Sequence, residues 1–232
     1  MTVAAVILAA SPASALADAD GTPGVRRLSD VAWAGGATPV VVCSFDPDGA
    51  VAAALANAEV TLVDPVDPVD PAGGPVAQIV NGVRAAASLV AETDGALVWP
   101  ARMTWVDAET VTTLIHAYGE DRSSVARPTY DGEPGWPILL PVRHLDTFAA
   151  LGADRMPPDL FADLEASGVP FRTIETGDPG VTHDGSTPRE DLPPYDGPPE
   201  PDGHAHEWGS AAADEPDDAP VTGPARLTMP GA

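Results

Sequence analysis

Few residues in this chain have the types and spacing to do chemistry. The first group is Leu8-Ala9-Ala10-Ser11-Pro12-Ala13-Ser14-Ala15-Leu16-Ala17, which leaves an apolar strand and heads toward a helix. Phosphate-binding loops occupy such strand-to-helix turns, because their backbone N–H groups cradle anionic oxygens. Here no glycine appears before Gly21 and no basic residue before Arg26. A second group, "DPVDPVDP" from Asp64 to Pro71, offers a carboxylate every third residue. It lacks the glycine turn and bidentate Glu of a calcium loop and reads as an extended, solvated segment. A third, "HAHEW", sets His204, His206 and Glu207 close together, a weak metal signal. The single cysteine, Cys43, ends an apolar run and reads as a buried thiol rather than a nucleophile. One cysteine cannot form an internal disulfide, which fits a reducing compartment.

Composition narrows what those groups can serve. The 232 residues carry a net charge of -24, and all eleven basic residues are arginines. Nucleic-acid backbones and anionic membrane surfaces would be repelled, so neither is expected as a partner. The hydrophobic fraction of 44% supports a full core. No apolar stretch reaches the ~20 residues of a bilayer span. "VAAVILAA" followed by Ala15-Leu16-Ala17 imitates a secretory signal, which would make this an exported acidic protein. No basic residue precedes the run, so the expected location is the cytoplasm.

The elements that must position any site alternate in period. Val3 to Ala9 predicts a buried strand, and Val25 to Ala34 an amphipathic helix ended by Gly35-Gly36. "TPVVVCS" predicts a strand covered on both faces, "DGAVAAALANA" a short helix and "EVTLVD" a third strand. Residues 75 to 91 predict a helix opened by Pro75, and "GALVWPA" a fourth strand. "DAETVTTLIHAYG" predicts a helix capped by Asp107 and closed on Gly119. This alternation implies an α/β fold of three layers, with a mostly parallel, doubly wound sheet of about six or seven strands. The ligand cleft belongs at the C-terminal ends of the first and fourth strands. Residues 1–192 form the expected domain, and 193–232, rich in Pro, Gly, Ala and Asp, an acidic disordered tail.

Read in order, five segments resemble the MobA-like NTP transferases, the guanylyl- and cytidylyltransferases of molybdenum cofactor synthesis. They are the Leu8–Ala17 loop, "RRLSDVAWAGGATPVVVCS", "GGPVAQIVNGVRAA", "GALVWPARMTWVDAETVTTLI", and "RPTYDGEPGWPILL" with "GDPGVTHDGSTPRED". The resemblance implies a nucleotide-diphospho-sugar transferase-like fold. It also implies vestigial nucleotide-binding positions at Ala9, Ala10, Ser11, Ser14, Gly74, Gln78 and Gly82. Gly135, Trp136 and Pro137 match the family's acceptor-side turn. The family's loop glycine falls on Ser11, followed by Pro12 with no N–H, its arginine falls on Ala15, and its lysine has no counterpart. The metal-binding aspartates fall on Arg102 and Ser186, leaving Asp184 as the carboxylate that could still bind a metal.

Nucleotidyl transfer needs cations, backbone amides and carboxylate-held Mg²⁺ around a triphosphate. The resemblance with these losses implies a degenerate family member, acting by binding a nucleotide, a phosphorylated ligand or a protein partner, with no confident cofactor. The alternative it leaves open is an active transferase that uses Mg²⁺ to move NMP from CTP or GTP to a phosphorylated acceptor such as molybdopterin.

Overall fold

The structure, a computed structural model, describes residues 1–9, 11–66, 74–152, 155–156 and 159–197. Ala10, most of the Asp-Pro-Val repeat, "HAHEW" and the expected tail from residue 198 onward lie outside the described residues.

The most apolar run near the N-terminus becomes the central strand. β1 (Thr2–Leu8) is buried from Val3 to Ile7 because both its edges and both its faces are covered. After it come α1 (Pro12–Ala15) and a two-stranded hairpin of β2 (Asp18–Ala19) and β3 (Thr22–Pro23). Next are α2 (Gly24–Ala34), β4 (Val40–Cys43), α3 (Ala50–Ala54), β5 (Val60–Val63), α4 (Pro75–Leu89) and β6 (Thr93–Pro100). The chain then forms α5 (Ala108–Glu120), β7 (Val125–Tyr130), β8 (Glu133–Pro134), β9 (Ile138–Pro141), α6 (Leu145–Ala149), α7 (Asp159–Ala166) and β10 (Phe171–Glu175).

The sheet order is β10-β7-β9-β6-β1-β4-β5, with β8 added to β7. β1 runs parallel to β4 and β6, β4 to β5, and β7 to β10. β9 is antiparallel to both its neighbours. The mostly parallel α/β sheet expected from the sequence is therefore present. A parallel pair needs a long crossover, and helices fill that role.

Strand alternation divides the core into two layers. One face of β1, with Val3, Ala5 and Ile7, packs with Val25 and Leu28 of α2 and Leu114 and Tyr118 of α5. The other face, Ala4 and Val6, packs with Ile79 and Val83 of α4, Phe148 of α6 and Leu164 of α7. Each fully buried large side chain contributes about 1.5–3 kcal/mol. Gly82 lies where α4 comes nearest the sheet, and a Cβ there would collide with Val6. Cys43 is buried beside it, and burial pushes its thiol up to about 12, in keeping with an inert role.

The helix ends follow local chemistry. Pro75 stands at the first helical position of α4. The Asp107 carboxylate accepts the Glu109 N–H at 3.1 Å and caps α5. That helix does not close on Gly119 as expected, but continues through Glu120 to a C-cap at Asp121. An extended Asp121 already stops it, so the glycine's conformational freedom is not needed there.

Candidate functional site

β1 and β6 lie side by side with Leu8 opposite Pro100, and the Ala101 N–H continues the ladder to the Leu8 carbonyl at 2.8 Å. Their C-terminal ends therefore deliver two turns to the same edge of the sheet. Ser11 follows one and Arg102 the other. Open parallel sheets bind ligands at such edges.

The turn after β1 is closed on itself. Ala9 is buried and donates its N–H to the Cys43 carbonyl at 2.9 Å. The Ser11 N–H donates to Ser14 Oγ at 3.1 Å, and the Ser14 N–H to Ser11 Oγ at 3.2 Å. Ser14 Oγ also donates to the Ser11 carbonyl at 2.8 Å. This reciprocal box caps α1, and Pro12 beside it has no N–H to offer. The Ala15 and Leu16 N–H groups are taken by the Ser11 and Pro12 carbonyls.

The turn after β6 is instead built from outside. Trp99 Nε1 donates to the Met103 carbonyl at 3.0 Å, folding the chain back over the strand end. Arg27 of α2 donates Nε to the Thr104 carbonyl at 2.7 Å and lies 5.6 Å over the Trp105 ring. Burial, with Arg189 adding to it, lowers the Arg27 pKa. Residues 178–191 then run across the turn. Asp178 is 2% exposed and accepts from the Asp107 N–H, the Thr110 hydroxyl and the Gly180 N–H at 2.7–2.9 Å. Its pKa is raised, because burial outweighs those hydrogen bonds. Gly180 meets the Trp105 backbone so closely that any Cβ would collide with it. The Gly185 N–H donates to the Arg102 carbonyl at 2.7 Å, and Trp105 Nε1 to the Thr187 carbonyl at 2.9 Å. Arg189 closes the far side with a 2.7 Å ion pair to Asp20, at the β2–β3 hairpin tip.

Arg102, Asp184 and Ser186, far apart in sequence, are thereby brought together. The Ser186 N–H and hydroxyl both donate to Asp184 Oδ1. Ser186, and more weakly Arg102 and His183, hold the Asp184 carboxyl below its usual range against the opposing effect of partial burial. Arg102 is exposed, and among the described residues its guanidinium makes no hydrogen bond or ion pair. Beneath Gly185 lies Thr104 Oγ1, the one buried side-chain polar atom without a partner among the described residues.

The α4 group sits at other strand ends. Gly74 is the N-cap of α4, and Gln78 exchanges two hydrogen bonds with the backbone of Val66, which follows β5. Gly82 is the packing contact on Val6 described above. The Gly135-Trp136-Pro137 turn is joined to the rim through Val181. The Trp136 N–H donates to the Val181 carbonyl at 2.8 Å, Gly135 abuts the same residue, and Trp136 packs on Phe161 at 5.4 Å between ring centroids. The Trp136–Pro137 bond is cis, and Pro137 is buried.

These elements in this order have known counterparts. The profile of the MobA-like NTP transferase domain matches residues 5–167. The chain belongs to this family. The match ends before β10 and before the 178–191 segment that completes the rim. Solved structures agree on the fold. A nucleotidyl transferase from Methanothermobacter superposes with a TM-score of 0.61 at 22% identity, covering 75% of this chain and 87% of its own. A 4-diphosphocytidyl-2C-methyl-D-erythritol synthase gives 0.61 at 17% identity over 82% and 95%. A Mycobacterium tuberculosis protein, described as a complex with manganese, gives 0.57 at 19% over 76% and 89%. No curated protein matches the chain in sequence.

A divalent metal is what such a family implies, and the residues present do not fit one. Mg²⁺ and Mn²⁺ take oxygen ligands in octahedral geometry, anchored by carboxylates. Among the described residues the carboxylate brought to the Arg102 turn is Asp184, one of whose oxygens already accepts two hydrogen bonds. No group of three or more His, Cys, Asp or Glu side chains able to hold a metal occurs among the described residues. Arg102 adds a fixed positive charge that repels a cation.

Sequence reasoning missed Asp178, Thr104, Trp105, Arg27 and His183 at this rim. Asp178 carried a signal, since Asp before Pro-Gly marks a turn whose side chain bonds backbone two residues on. The contact of Arg27 with Trp105 joins α2 to the turn after β6, and nothing local announces it. No described helix is long and apolar enough to cross a membrane.

Proposed function

We propose that this MobA-like domain is catalytically degenerate and acts by binding a ligand or a partner rather than by transferring a nucleotide. The observation that carries this reading is the closed turn after β1. Nucleotidyl transfer requires donors directed at a triphosphate, and here the donors of Ser11 and Ser14 are spent on each other. The misfit of Arg102 and Asp184 to a divalent cation supports the same conclusion.

The test is pyrophosphate release from CTP and from GTP, with Mg²⁺ and with Mn²⁺, over a panel of phosphorylated acceptors. No release above the metal-only background is expected. Metal-dependent release with either nucleotide overturns the reading and establishes the active alternative. One observation favours that alternative, the Asp184 carboxyl held below its usual range, with Oδ2 accepting no hydrogen bond among the described residues.

A further inference from the structure

β5 ends the sheet order and pairs with β4 alone. The Ser44 N–H donates to the Val63 carbonyl at 3.1 Å, so Thr61 and Val63 face β4. Val60, Leu62 and Asp64 turn their backbone groups to the open edge, because these alternate along a strand. The Val60 N–H is taken by the Ala58 carbonyl at 3.0 Å, and the Asp64 carbonyl by Asn81 Nδ2 at 3.1 Å. The Leu62 N–H and carbonyl, the Val60 carbonyl and the Asp64 N–H have no partner among the described residues. The opposite edge, β10, is guarded by charge: Arg172 pairs with Glu120 at 3.0 Å, and the Glu175 carboxylate accepts from Thr129. β5, Val60-Thr61-Leu62-Val63, carries no charge and no proline. Beside its Val60 end, a concavity of about 270 Å³ is lined by Arg26, Trp33 and Glu59. Arg26 Nε reaches Asp30 at 3.0 Å and Nη1 the Ala56 carbonyl at 2.9 Å, which leaves Nη2 unspent among the described residues. At the other end the Asp64 carboxylate is exposed, with no hydrogen bond or ion pair among the described residues.

An edge strand paired antiparallel with its own copy about a twofold axis exchanges both backbone bonds at the central residue. With the axis at Leu62, each Leu62 N–H meets the partner's Leu62 carbonyl, and each Asp64 N–H meets the partner's Val60 carbonyl. These are the groups left open, and the two already spent, the Val60 N–H and the Asp64 carbonyl, fall opposite each other. Directly opposed residues share a face of the sheet. Val60 packs on the α2 side, so the partner's Asp64 carboxylate comes to the side that holds Arg26. An axis between Thr61 and Leu62 would instead oppose Glu59 to the partner's Asp64, two like charges. We propose that this chain forms a twofold dimer through β5, centred on Leu62, with Arg26 of each copy paired to the partner's Asp64. The net charge of -24 resists self-association, yet charges more than about 8 Å apart are largely screened at physiological ionic strength. The dimer goes beyond the degenerate reading and stands whether or not nucleotidyl transfer survives.

The test is sedimentation equilibrium of the full chain at physiological salt, where a dimer is expected. Arg26→Asp and Asp64→Arg should each weaken it by about tenfold or more, since each opposes like charges across the interface. Asp64→Arg also lowers the net negative charge, so general repulsion alone would predict the opposite change. An equal mixture of the two variants should recover association, because both contacts again join opposite charges. Unfolding of either variant cannot imitate that recovery. Leu62→Pro removes the N–H at the axis and should leave a monomer. Thr173→Pro is the matching change on β10, where the Pro170 carbonyl and Thr176 N–H face β7 and Thr173 faces out, and should keep the dimer. A chain still monomeric at about 100 μM overturns the proposal and leaves the edge to a strand of another protein. A mixture that fails to associate, a dimer lost on Thr173→Pro, or a dimer indifferent to the β5 variants overturns it as well.

Discussion

The turns after β1 and β6 leave the sheet from paired residues, Leu8 and Pro100, and reach opposite chemical states. In the first, the Ser11 and Ser14 donors are met within four residues, by each other. The second is held by residues from α2, from α5 and from the 178–191 segment. Local hydrogen bonds quench a loop, because every donor turned inward is lost to a ligand. Distant fastenings can fix a backbone while leaving a side chain such as that of Arg102 unspent. A turn positioned from afar therefore stays available for binding, and a self-capped one does not.

The strongest blow to this contrast falls on the outside fastening. Asp178→Ala leaves the Asp107 and Gly180 N–H groups and the Thr110 hydroxyl without their acceptor in a buried place. We expect a loss of about 3–5 kcal/mol in urea denaturation, on the scale of stranded buried hydrogen-bonding groups. A loss below about 1 kcal/mol would mean that the rim is not held from this point.

Asp178 also gives the contrast a pH signature. Its folded pKa is raised, so its contribution is fully present below the unfolded carboxylate value and is lost as pH rises through the folded value. Asp184, whose folded pKa is lowered, contributes above the unfolded value and loses that contribution as pH falls through the folded one. Asp178→Asn should flatten the decline on the rising side and leave the acid side intact. Stability measured across the carboxylate range checks both signs.

Placing a carboxylate in the second turn sharpens the comparison next. Arg102→Asp removes the repelling charge and should raise Mn²⁺ affinity by about tenfold, or ~1.4 kcal/mol, by calorimetry. It should not start pyrophosphate release, because the first turn stays closed. Release by this variant would show that the Ser11–Ser14 closure is no barrier.

Opening the first turn has a smaller effect. Ser11→Ala removes the cap of α1 and should cost about 1 kcal/mol. It takes the Ser11 Oγ acceptor from the Ser14 N–H, which keeps the Ser11 carbonyl at 3.1 Å, and supplies no cation, so nucleotide affinity should stay where it was. The weakest expected effect is that of Arg189→Ala, since Arg189 and Asp20 are both more than half exposed. That pair should be worth no more than about 1 kcal/mol and should fade with added salt.

The sheet and its helices were legible in the sequence because burial imposes a period. The run that became β1 is continuously apolar and that of β4 β-branched, and both are buried as expected. Gly35, Pro75 and Asp107 marked helix boundaries through their own backbone or side-chain chemistry. Gly119 misled, because an extended Asp121 could end α5 without it. The absence of lysine and the Pro12 beside Ser11 were likewise plain from the residues alone.

The tertiary structure decided everything that depends on long sequence separation. It placed Asp184 and Ser186 against Arg102, Thr187 on Trp105, and Asp178 under the start of α5. It turned Gln78 to the backbone after β5 and gave Gly82 its closest neighbour in Val6. It also fastened the last described stretch, where Tyr195 donates to Glu109 at 2.7 Å within the region that composition had assigned to the tail. Periodicity and capping are set by residues a few positions apart, so a sequence carries them directly. A hydrogen bond across eighty residues is fixed only when packing brings its two ends together, and that packing is a property of the whole sheet.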